Sequence, residues 1–198
     1  MTVQVGHLFS YEKSNYSIAK TTNPILFDPK DYGIIPFPRC TACHRGHWCG
    51  FSIADRQFIL DDFFINTEDN VYPTISGVHA VTENYRALYM GHHIYRGLHI
   101  PLDYTGRILA GNNAIPTYYI EGLFDNPWCY KNLKEFVFDK GILVDVIEQS
   151  ETAKDIRKMV QAMSKIQSKR SGIMGRYVEI SLGALKLISN NAWWLERY

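Results

Sequence analysis

The chain has 198 residues, 46% hydrophobic and 21% charged, and its 21 Lys+Arg against 20 Asp+Glu leave a net charge of +1. That balance excludes intrinsically disordered, collagen-like and mucin-like chains, and it gives no global basic field for gripping nucleic acid. The aromatic fraction of 14% favours half-buried pleated strands, and such residues are also enriched at protein interfaces.

The opening MTVQVGHLFSYEK lacks the basic start, apolar stretch and cleavage site of a secretory signal. No apolar run reaches the ~18–20 residues of a membrane helix. The expected setting is therefore cytoplasmic and reducing, with no membrane partner. The four cysteines are then free thiols or metal ligands rather than disulfides.

Residues 28–33 (DPKDYG) read as a turn, with Asp and Pro at its start and a permissive Gly at its end. Pro36 and Pro38 hold residues 35–39 extended, because a residue before proline is pushed out of the α region. Residues 51–65 (FSIADRQFILDDFFI) read as strand, tight turn near Asp55, strand. Similar units begin near residues 98, 136 and 178, and Asp139-Lys140-Gly141 is the clearest hairpin signal among them. A short helix is suggested over 83–90 by Tyr85, Leu88 and Tyr89. A longer amphipathic helix is predicted over 152–170, where Ile156, Met159, Val160, Met163 and Ile166 fall at helical spacing. Thr152 and Asp155 would cap it, and Gly172 would stop it. The closing Trp193 and Trp194 would leave a large apolar patch if exposed, so they are expected to dock on the protein body or a partner.

These elements predict an α+β fold, mainly antiparallel β with several hairpins and the one helix packed on the sheet. It forms a single domain over 1–198, with a semi-independent C-terminal part at 150–198.

The densest chemical cluster is CTACHRGHWC at residues 40–49. Zinc asks for four soft or borderline ligands, which Cys40, Cys43, His47 and Cys49 would supply, although the C-x2-C-x3-H-x-C spacing is not a common one. No cofactor is expected from the sequence, zinc at this cluster being the alternative. Competing readings are c-type haem attachment through C-x-x-C-H, a redox dithiol, and small thiols buried in a turn-and-strand core. A second cluster joins His92, His93 and His99, with Asp103 or Glu121 as carboxylate partners for acid–base work. No nucleophile elbow, zincin motif or phosphate loop is present, so no catalytic residue is assigned.

Charge is unevenly placed. Residues 50–84 carry six acids against one base, and residues 150–176 carry seven bases against two acids. Asp61, Asp62, Glu68 and Asp69 form the candidate partner-binding face, which would speed encounter with a basic surface. The sequence thus reads as a non-enzymatic protein-binding module, for which a bacterial immunity-type or regulatory role is one setting. The alternative is a zinc- or thiol-dependent protein, enzymatic or not, centred on residues 40–49. The partner's identity and the oligomeric state are not legible.

Overall fold

A computed structural model describes residues 5–82, 93–116, 126–170 and 193–195, with the side chains of 163–170 outside that description. Ten strands and one α-helix follow in chain order: β1 Leu8–Tyr11, β2 Ser14–Thr21, β3 His47–Ala54, β4 Gln57–Ile65, β5 Val81–Thr82, β6 His93–Tyr95, β7 Ile100–Pro101, β8 Gly106–Ala114, β9 Tyr130–Asp139, β10 Ile142–Glu148 and α1 Ser150–Arg170.

The expectation of an α+β fold dominated by strands holds. The open array of hairpins does not, because the sheet closes. Its order runs β10-β9-β8-β2-β1-β3-β4, and β4 returns to β10, so seven strands form a barrel. All neighbours are antiparallel except β1 and β3. Strands β6 and β7 lie against β4, and β5 continues from β6. The closing seam is short. Ile142 faces Gln57, Phe58 N–H donates to Gly141 O at 2.8 Å, and Leu143 N–H donates to Arg56 O at 2.7 Å. The Arg56 guanidinium then holds Leu143 O through both Nε and Nη2, at 3.0 and 2.8 Å. A Cβ on Gly141 would sit 2.0 Å from Leu102 O, so only glycine fits this corner.

Three hairpins turn on paired positive φ values, at Glu12-Lys13, Asp55-Arg56 and Lys140-Gly141. Turns of that hand match the twist of the flanking strands. The first of these joins β1 to β2. The unit read from Leu98 to Leu109 is not a hairpin, because β7 pairs with β4 and β8 pairs with β2 and β9. The unit near 178 and the helix over 83–90 lie outside the described residues.

One bulge explains why β4 alternates imperfectly. Gly50 faces Asp62 and Phe51 faces Leu60, which leaves Asp61 as an extra residue. A bulge shifts the side-chain phase by one position. Phe58 and Leu60 therefore point inward before it, and Phe63 and Ile65 point inward after it.

The barrel interior is filled by Phe9, Phe51, Phe58, Phe63, Phe136 and Phe138, with aliphatic residues between them. A second core lies outside the wall, where Leu109 and Leu133 meet Ala153 and Ile156 of α1 and the terminal Trp194 and Leu195. The expected docking of the closing tryptophans is thus onto the protein's own body. The helix begins at Ser150, two residues before the predicted start, so Thr152 lies inside it and caps nothing. Asp155 instead pairs with Lys158 at 2.8 Å.

Candidate functional site

Two long irregular segments, 22–46 and 66–80, cover one end of the barrel. Pro36 forms an antiparallel bridge with Thr67, and Phe37 N–H donates to Asn66 O at 2.8 Å. Arg39 Nη2 reaches Thr67 O at 3.3 Å and Asn70 Oδ1 at 3.2 Å. The preceding turn forms as the sequence predicts. Asp28 accepts from Lys30 N–H, Pro29–Tyr32 makes one 3-10 turn, and Gly33 ends it at φ 71°. Gly46 packs so closely on Phe37 that a Cβ would lie 2.7 Å from its nitrogen.

Three of the four residues proposed as metal ligands lie at this end, Cys43 in the covering segment itself and His47 and Cys49 on the strand that follows it. His47 and Cys49 sit two apart on β3 and face the same side. Cys43 ends one turn, with its N–H on Cys40 O at 3.2 Å, and opens the next, with its carbonyl accepting from Gly46. Its thiol donates to His47 O at 3.5 Å. Cys49 is buried in the barrel core, and Cys40 is half-buried at the rim.

The sequence reading missed His7. Its ring lies 6.1 Å from that of His47 and 5.6 Å from that of Phe51. Its Nδ1 accepts the Cys49 N–H at 3.0 Å, which places the ring proton on Nε2. Arg45 ties this corner to the chain start through a hydrogen bond to Val5 O. Long-range pairing brings His7 here, and no local motif announces it.

The electrostatics of this corner run toward neutrality. Burial, reinforced by the Arg45 and His47 charges, lowers the His7 pKa to about 3. Burial also lowers His47 and raises Cys43 and Cys49. Thiols held protonated in an apolar setting are poor nucleophiles and poor metal ligands. Among the described residues, no group of three or more His, Cys, Asp or Glu side chains is placed to hold a metal ion. Zinc gains no support from this arrangement, and neither does thiol chemistry.

The histidine cluster does not assemble among the described residues. His93 stacks on Tyr72 with ring centres 3.6 Å apart, whereas His99 sits in an exposed left-handed turn with Nδ1 3.1 Å from Asp61. His92 and Glu121 lie outside the described residues.

The four candidate partner-binding acids separate into two pairs. Asp61 and Asp62 lie on the barrel wall and staple the 96–99 loop. Asp61 contacts His99, while Asp62 accepts from Arg96 Nη1 at 3.3 Å and from Gly97 N–H at 3.2 Å. Glu68 and Asp69 lie at the covered end, and both are exposed. Asp69 turns part of its carboxylate back onto Val71 N–H at 3.1 Å.

The two covering segments that carry Glu68 and Asp69 also expose apolar side chains that the sequence reading did not single out. Ile35 is 75% exposed, Val71 58% and Phe37 38%. The bridge register sets Ile35 across from Glu68. The signal was present in Ile35-Pro36-Phe37-Pro38, since a chain held extended by two prolines displays its side chains. The chain matches no family model, no curated protein and no solved structure.

Proposed function

We propose that this is a binding protein whose contact surface is the ledge formed by residues 34–39 and 67–71. Ile35 carries the reading, being 75% exposed while its backbone is fixed on both sides. Pro36 restricts the conformation of Ile35, and the bridge to Thr67 anchors the segment to the barrel. A large apolar side chain held rigid in solvent loses little conformational entropy on binding. Phe37 and Val71 extend the apolar surface, and Glu68 and Asp69 flank it.

The ledge recognises through side chains rather than by adding a strand. Pro36 and Pro38 have no N–H to donate, so the segment is a poor template for edge pairing. Its chemistry suits a protein surface with an apolar patch rimmed by Lys or Arg. The packed aromatic interior supports the same reading, because it leaves the protein's outer surface to do the recognition.

The test uses the intact chain with a photo-crosslinking residue at position 35, and a control chain with the same residue at the exposed position Leu8. In lysate of the source cell, position 35 should yield one dominant adduct that position 8 does not. Glu68→Lys with Asp69→Lys should remove it while the melting temperature stays within about 2 °C. Equal labelling from both positions, or an adduct indifferent to the charge reversal, rejects the ledge.

A further inference from the structure

We propose that Asp145 guards an open strand edge, its carboxylate holding the Val146 N–H and so keeping β10 from pairing with β10 of a second copy. The closing seam of the barrel runs out early. Gln57 faces Ile142, but the next stretch of β4 is taken by β7. There Ile59 faces Pro101, Leu60 faces Ile100, and Phe58 O accepts the Leu102 N–H at 2.9 Å. Strand β10 therefore parts from β4 beyond Leu143. Among the described residues, no strand lies along its outer edge from Val144 to Glu148.

Two charged side chains occupy that edge. Arg56 covers Leu143 O where the seam ends. Val144 is then the extra residue of a bulge, since Leu143 faces Phe138 and Asp145 faces Val137. Asp145 Oδ1 accepts the Val146 N–H at 2.8 Å. An N–H bonded to its neighbour's side chain is not spent on Phe136 across the ladder, so it points to the open side. The Val146 side chain packs against the barrel core, which fixes this backbone in place. A bulge and a charge both blunt an exposed edge.

Without the guard the edge is adhesive. Ile142, Val144 and Ile147 are exposed aliphatic side chains along one short strand. Val and Ile favour pleated structure, and a two-fold axis lets a strand edge serve as its own partner. A second copy would bring a further Asp145 and Glu148 to the same edge, so like charge adds to the block. A carboxylate that only closed a local turn would leave association unchanged when removed. The edge and the ledge share no residue, and neither proposal depends on the other.

The test is sedimentation of the full-length chain at concentrations up to several hundred micromolar, with amide hydrogen exchange read at Val146. The parent chain should not associate through β10. Asp145→Ala should dimerise at least tenfold more tightly than Asp145→Asn, because asparagine keeps an acceptor for the N–H. Exchange at Val146 should slow at least tenfold as the Asp145→Ala dimer forms. Adding Val144→Lys to that variant should restore the monomer. An Asp145→Ala chain that melts cooperatively and stays monomeric overturns the proposal, as does a dimer whose Val146 amide gains no protection. So does a parent chain already paired through β10, its dimer undone by Val144→Lys. If Asp145→Ala does not fold, Asp145→Thr takes its place, and loss of folding in both shows a carboxylate the fold itself needs, which overturns the proposal equally.

Discussion

Strand β9 turns Phe136 and Phe138 toward the barrel interior and Leu133 and Glu135 toward α1, so one strand serves two cores built on different terms. Inside, ring meets ring. Phe136 lies 4.7 Å from Phe9, 5.1 Å from Tyr11 and 6.2 Å from Tyr16, all edge to face. Outside, buried polar groups hold the contact together. Arg157 Nη1 donates to Trp128 O at 2.8 Å and Tyr130 O at 2.7 Å, and buried Glu135 accepts from Arg107 and Gln149. The inner core depends on volume and shape, so it fails by cavity. The outer core depends on a few directed bonds, so it fails one bond at a time.

The largest effect should follow from breaking the inner core. Phe136→Ala removes a ring in contact with three others and is expected to cost about 3–5 kcal/mol. Urea denaturation should show one cooperative transition moved to lower midpoint. A loss under about 1.5 kcal/mol would mean that the interior collapses around the gap, and the contrast between the cores would weaken.

Acid should strain the covered end of the barrel next. The His7 pKa falls from 6.5 to about 3 on folding. The unfolded chain thus takes up this proton first, and stability declines as pH drops from about 6.5 toward 3, then levels off. The slope approaches 1.4 kcal/mol per pH unit, and about 3 kcal/mol should be gone by pH 4. His7→Gln keeps an acceptor for the Cys49 N–H and removes the titration. Its urea midpoint should fall less than the parent's between pH 7 and pH 4, and parallel falls would place the acid sensitivity elsewhere.

The outer core should respond at a single residue. Arg157→Met keeps most of the stem and deletes both carbonyl contacts, for an expected loss of about 2 kcal/mol. Hydrogen exchange should quicken at Ala153 and Ile156 in α1 while Phe51 and Phe63 in the barrel stay protected. Quickening in both places would show one cooperative unit rather than two.

The same contrast marks what the sequence could disclose. Hairpins set by adjacent residues were legible at Asp55-Arg56 and at Lys140-Gly141, as was the helix stripe at Ile156, because each rests on short-range periodicity. Closure was not, since the seam joins Arg56 to Leu143 across 87 residues and leaves no local pattern. Glu12-Lys13 escaped notice because neither residue is the glycine or asparagine that usually marks such a turn. The Cys/His run stood out for its composition, but burial of Cys43 and Cys49 is a tertiary fact that raises their thiol pKa values against the chemistry their spacing suggested. His7, whose pKa burial lowers to about 3, reaches that corner only through the pairing of β1 with β3.

The smallest effect concerns the acids of β4, and it separates a staple from a docking residue. Asp62 accepts from Arg96 and from the Gly97 N–H, and the Arg96 side chain is 48% exposed. Water screens such a pair, so Asp62→Asn should cost no more than about 1 kcal/mol. Part of that loss should vanish in 1 M salt, where the ion pair is already weakened, while the share due to the Gly97 contact remains. Because Asp62 is spent on the 96–99 loop, the variant should keep the crosslink from position 35 that Glu68→Lys with Asp69→Lys abolishes. Loss of that crosslink without loss of stability would return Asp62 to the recognition surface and extend the ledge along the barrel wall.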